Sequence, residues 1–130
     1  MHWVRLQPAG VEPVCVANLH ASAGRPAQAA AEVIAAAEAA VAWSKDAPLV
    51  FGGDLNLRPA GEPAPFASLR ERFGLGEPTA PDAIDHLLVR GLSVVAPTRR
   101  LAQERRELEE PDGRKLRLSD HRLIAGEFVA

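Results

Sequence analysis

Tyrosine is absent, cysteine and methionine occur once each, and the aromatics amount to four phenylalanines and two tryptophans. The single cysteine, Cys15, excludes a disulfide framework and any multi-cysteine metal site. It lies in an apolar run and reads as a buried, inert thiol. With so few aromatics the core has to be built from alanine, valine, leucine and isoleucine. There is also no charge excess: 15 basic and 17 acidic residues leave a net charge of −2. No global basic field holds nucleic acid by phosphate neutralisation, so a substrate phosphate needs a local site. Long apolar runs are missing too. The stretch over 27–43 is interrupted by Gln28, Glu32 and Glu38 and does not make a membrane span. Residues 1–6 lack the basic flank and apolar core of a signal peptide, which predicts a cytoplasmic, reducing setting. The 130 residues, 47% of them hydrophobic and 25% charged, suit one globular domain spanning 1–130.

Periodicity and breakers predict the elements. Strands are expected over 3–6 and 14–17, the second running into Asn18-Leu19-His20, with a turn over 8–13 between them. Pro26 suits the first turn of a helix, and Val33, Ile34, Ala37, Ala40 and Val41 recur at helical spacing up to residue 44. Pro48 stops continuation. The run 49–51 reads as a central strand ending in a tight Gly52-Gly53 turn that carries Asp54-Leu55-Asn56. After a loop over 59–65, Phe66, Leu69 and Phe73 mark a second helix, with Gly74 as its stop. Strands follow over 84–89 and 92–96. The segment 99–110 suits either a charged helix or a strand; the turn signal Pro111-Asp112-Gly113 favours a strand near 105–108, paired with 116–118. A last strand spans 123–129. The order β-β-α-β-α-β-β-β-β-β predicts an α/β (α+β layered) domain with a mixed sheet and flanking helices.

Polar residues punctuate the strand ends: Asn18-x-His20, Asp54-x-Asn56, Asp85-His86 and Asp120-His121. Residues two apart on an extended segment share a face, so Asn18 joins His20 and Asp54 joins Asn56, while Leu19 and Leu55 turn inward. Each pair has a plain structural reading: an Asx cap at Asp54, a loop cap at Asn18, a surface pair at Asp85-His86, a turn initiator at Ser119-Asp120. Taken together at one sheet edge, they form a cluster of amides, carboxylates and imidazoles. Hydrolysis of a phosphate ester needs such a cluster, because it requires a held cation, a proton acceptor and donors to the phosphoryl oxygens. The mixed charges of 104–110 read as a solvated surface without chemistry.

Val16-Ala17-Asn18-Leu19-His20, Gly52-Gly53-Asp54-Leu55-Asn56, Ile84-Asp85-His86-Leu87-Leu88-Val89 and Leu118-Ser119-Asp120-His121 resemble, in order and spacing, motifs of the endonuclease/exonuclease/phosphatase family. The resemblance runs from Val14 to the last strand and covers only the C-terminal half of that deoxyribonuclease-I-like fold, half of a four-layer sandwich. It implies a divalent-metal-dependent phosphoesterase acting on a phosphodiester, as in a nuclease, or on a phosphomonoester. His121 would be the general base or acid, oriented by Asp85. Asp54 would orient or deprotonate water. Asn56 would donate to a phosphoryl oxygen, and His20, supported by Asn18, would stabilise the transition state. Asp120 would contribute to a Mg²⁺ or Mn²⁺ site. His86 points away from Asp85 in an extended segment and is left out of that set.

The family's early Asn and metal-binding Glu have no counterpart before Val14. One sheet face would also lie uncovered, so pairing with a second copy or with a separate N-terminal half is expected. The alternative is a catalytically inactive half-domain that serves as a binding or assembly module. A dinuclear site using His20, Asp54 and His121 is disfavoured by the absence of Asp-x-His and Gly-Asn-His patterns. A serine hydrolase through Ser119 is disfavoured by the absence of a Gly-x-Ser-x-Gly elbow.

Overall fold

A computed structural model describes residues 1–7 and 9–129; Pro8, in the turn expected over 8–13, and Ala130 lie outside them. The elements are β1 (His2–Leu6), β2 (Val14–His20), α1 (Pro26–Ser44), β3 (Leu49–Asp54), α2 (Pro63–Phe73), β4 (Asp85–Arg90), β5 (Ser93–Arg100), β6 (Glu107–Glu109), β7 (Lys115–Arg117) and β8 (Ile124–Val129). Strands β1 to β4 make one mixed sheet in that spatial order, parallel between β2 and β3 and antiparallel elsewhere. The parallel pair needs a crossover, and α1 provides it. Strands β5 and β8 form a two-stranded sheet, and β6 and β7 a short hairpin.

Alternation decides which way each strand faces. Cys15, Ala17, Leu19, Leu49, Phe51 and Leu88 share one face and are buried beneath the helices. Into that face α1 presents Ala29, Val33, Ala36, Ala37 and Ala40, and α2 presents Phe66 and Leu69. Alanine on the sheet-facing side lets the α1 backbone approach closely, in keeping with a core poor in aromatics. Each fully buried leucine or phenylalanine contributes roughly 1.5–3 kcal/mol of transfer free energy. Trp43 of α1 reaches the edge strand and stacks on Trp3 with ring centroids 5.3 Å apart. The helix termini follow their sequence signals. Both helices have proline in the first turn. Gly74, left-handed at φ 66°, closes α2, and Leu75 N–H donates to the Leu69 carbonyl at 3.0 Å.

The opposite face carries Val4, Val14, Val16, Val50 and Leu87, which the register places side by side. Part of it meets β8: a cavity of about 320 Å³ lies between Val16, Val50, Leu87 and Ile124. Thr98 Oγ1 donates to the Leu87 carbonyl at 3.3 Å and ties the second sheet to β4. The part over β1 is open, with Val4 50% and Leu6 49% exposed.

Several boundaries differ from the sequence expectation. The Gly52-Gly53 pair is not a turn; β3 continues through it to Asp54. The reason is steric. A Cβ at Gly52 would lie 1.9 Å from the His86 carbonyl oxygen, and one at Gly53 2.2 Å from that of Leu19. The glycines let β2 and β4 close against β3, and Gly53 adopts φ 115°. Helix α2 starts at Pro63 within the expected loop, because proline is at home in a first helical turn. Strand β5 runs past residue 96 to Arg100, accommodating Pro97 where the ladder register shifts. The strand expected near 105–108 starts only at Glu107, because Gln103–Arg106 form a 3-10 turn.

Candidate active site

The site is assembled by register. His20 on β2 pairs with Asp54 on β3, which pairs with Asp85 on β4. Side chains directly opposite one another point to the same face, so the three project together from the face away from the helices. His121 arrives from the loop between β7 and β8. That loop is held by His121 N–H donating to Ser119 Oγ at 3.1 Å and by Leu118 N–H donating to the Arg106 carbonyl at 2.8 Å.

His121 Nδ1 stands 3.0 Å from each Asp85 oxygen, and its Nε2 is 3.7 Å from Asp54 Oδ2. Nδ1–H therefore donates to Asp85, which leaves Nε2 facing Asp54 and solvent. The bond to Asp85 raises the His121 pKa above the ordinary histidine value; desolvation opposes it, and the negative charges of Asp85, Asp54 and Asp120 add to it. His20, largely exposed, brings Nε2 to 3.5 Å from Asp54 Oδ2. Asp54 is fixed from its own chain: its Oδ1 accepts from Asn56 N–H at 3.0 Å. Its peptide oxygen accepts from Ala21 N–H at 2.9 Å.

The loop after β2 is pinned to α1. The Glu32 carboxylate accepts from Ser22 N–H and Ser22 Oγ–H, both at 2.8 Å, and from Gln28 at 2.8 Å. These bonds, the Ser22 backbone N–H foremost, hold the Glu32 pKa below the usual range.

Asp54, Asp85 and His121 each offer a ligand atom within 4.8 Å of the others, close enough to hold a metal ion. Among the described residues, Asp120 is not one of the converging groups; its peptide oxygen accepts from the Arg106 guanidinium. Asn56, at φ 51°, spends one amide N–H on the Ala21 carbonyl at 2.9 Å and keeps the other. Asn18 is exposed, with its Oδ1 packed over Gly53.

His86 faces away from the cluster as expected, whereas Arg106 does not lie where the sequence puts it. His86 is fully buried on the helix side. Its Nε2 lies 3.0 Å from the Ala83 carbonyl and 3.2 Å from that of Leu57, and Nδ1 accepts from Thr79 N–H at 3.2 Å. A neutral ring with its proton on Nε2 serves all three backbone groups, and burial pushes its pKa down. Arg106, placed in a solvated charge run by the sequence, is buried, at 9% exposure. Nothing in the alternation of charges around it signals this.

Comparison with known proteins is confined to backbone likeness. No protein-family model and no curated protein sequence matches the chain. A functionally unknown conserved protein from Enterococcus faecalis V583 superposes with a TM-score of 0.54 at 20% identity, over 96% of this chain and 55% of its own. The human Nocturnin catalytic domain, solved with a bound sulfate anion, gives 0.46 at 17%, over 71% and 42%. The chain thus spans about half the length of the solved structures it matches. The first of these supports the fold as a mixed α+β arrangement. Among the described residues, no helix is long and apolar enough to cross a membrane.

Proposed function

We propose that this chain is a divalent-metal-dependent phosphoester hydrolase, built as one half of a deoxyribonuclease-I-like sandwich. The observation that carries the reading is the His121–Asp85 pair with Asp54 beside the free ring nitrogen. Asp85 fixes the tautomer and stabilises the imidazolium, so that Nε2 exchanges a proton at the scissile phosphate. Asp54, gripped by Asn56 N–H, orients or deprotonates the attacking water. His20 and the remaining Asn56 amide N–H donate to phosphoryl oxygens, with Asn18 supporting His20. A divalent cation held by the carboxylates of Asp54 and Asp85, oxygen donors suited to Mg²⁺ or Mn²⁺, would offset phosphoryl charge while His121 Nε2 stays free for the proton. Asp85 would then share its oxygens between the metal and His121.

The test is hydrolysis of bis(p-nitrophenyl) phosphate with Mg²⁺ or Mn²⁺. Asp54→Ala and His121→Ala should each lower kcat by about 10²–10⁴-fold, the scale of one acid–base group. Unchanged activity in both overturns the assignment.

The open apolar face over β1 favours a second reading, a catalytically inactive binding or assembly module. Calorimetric titration separates the two: no heat at millimolar Mg²⁺ or Mn²⁺, together with no hydrolysis, selects the module.

A further inference from the structure

We propose that the groove beside the His121–Asp85 pair binds a second phosphate of the substrate, with Arg106 as its buried donor. The substrate class is then a molecule carrying a phosphate adjacent to the scissile one. This rests on the phosphoester reading and narrows it. The groove encloses about 270 Å³, and its lining includes His121, Asp85 and Arg106. Arg106 is nine-tenths buried, and its guanidinium is fixed because one amino group donates to the Asp120 carbonyl. Its Nε–H is buried without any partner in the chain. A buried N–H of a cation without an acceptor costs free energy that an anionic acceptor recovers. The guanidinium fork suits phosphate geometry.

The surrounding charges agree. Arg58, Arg100 and Arg122 also line the groove, against Asp82, Asp85 and Asp120. Arg100 grips both oxygens of Asp82 at 2.7 and 2.8 Å, and Asp85 is engaged by His121. Four arginines against three carboxylates leave the groove one positive charge in excess, in a chain of net charge −2. Because His121 borders the same groove, an anion there sits next to the reacting phosphate.

The test is calorimetry of the full chain with inorganic pyrophosphate and with orthophosphate. The wild type should bind pyrophosphate about tenfold more tightly, the worth of one charge-assisted hydrogen bond. Arg106→Gln should lose that preference and Arg106→Lys should recover part of it. Arg58→Gln, at an exposed position where folding is not at stake, should weaken pyrophosphate binding several-fold. In hydrolysis, the kcat/KM ratio of a substrate with adjacent phosphates to bis(p-nitrophenyl) phosphate should fall about tenfold in Arg106→Gln; a general loss of folded protein cancels in that ratio. Competition by a nucleoside diphosphate and by a 5′-phosphorylated dinucleotide then tells a diphosphate linkage from a neighbouring nucleic-acid phosphate. Equal wild-type affinity for the two anions, or an unchanged preference in Arg106→Gln, overturns the proposal. Failure of the hydrolase reading looks different: Asp54→Ala keeps full activity while the pyrophosphate preference stands.

Discussion

Asp85 acts through His121 rather than on its own. Its carboxylate is what holds the ring's pKa up, so Asp85→Asn should lower the His121 titration midpoint toward the ordinary value near 6.5, read by NMR of the imidazole signals. The pH dependence of hydrolysis should move in the same direction, with kcat down by about 10²-fold or more. Because the folded pKa is raised, His121 contributes stability in full below about pH 6.5 and loses it as pH rises through the folded value. Gly53 is the other residue on which the site depends. Gly53→Ala places a Cβ 2.2 Å from the Leu19 carbonyl and 2.3 Å from Asn18 Oδ1 at φ 115°, with backbone on one side that cannot yield cheaply. The expected loss is on the order of 3 kcal/mol in urea unfolding, with His20 and Asp54 thrown out of register.

At the level of elements, β4 works on both faces. Asp85 serves the site from one side, and one residue later His86 knots the loops carrying Leu57, Thr79 and Ala83 on the other. Those loops lead from Asn56 into α2 and from α2 back to Asp85, so the knot fixes the site's flanks. His86→Leu leaves two carbonyls and one N–H buried without partners. The expected cost is about 3 kcal/mol in chemical denaturation, with kcat falling alongside. Since burial lowers the His86 pKa, the unfolded chain takes up the proton first. That contribution is complete above about pH 6.5 and is lost as pH falls toward the folded value. The two histidines therefore give opposite pH trends, and comparing denaturation midpoints of His86→Leu and Asp85→Asn between pH 5 and pH 8 separates them.

For the whole molecule, the asymmetry of the sheet matters most. One face is sealed by two helices, and the other offers Val4, Leu6, Val14 and Val16 with only β8 covering the far end. We propose that a second copy of the chain covers this face with its own sheet. Light scattering of the chain alone should then show a mass above 13.9 kDa. Val4→Lys with Val16→Lys should return it toward that value, by placing unpaired charge in the interface. A monodisperse monomer in the unsubstituted chain counts against the pairing.

The sequence by itself determined the order of the elements, the inward turn of Leu19 and Leu55, the burial of Cys15, and the shared face of Asn18 and His20. These follow from local rules: alternation in strands, helical spacing, and proline and glycine at boundaries. Asn56 lies past the end of β3 at φ 51°, so alternation does not put it on the face of Asp54. That Asp54, Asp85 and His121 share one face was legible only through the resemblance, since no local rule sets the register between β3 and β4. The tertiary structure alone decided the rest. It made Gly52-Gly53 a point of close strand approach instead of a turn, because the constraint comes from His86 and Leu19, which are distant along the chain. It also left Asp120 outside the converging ligands and buried Arg106. Whether a charge in a polar run meets water or a groove depends on which loops fold over it, and composition carries no record of that.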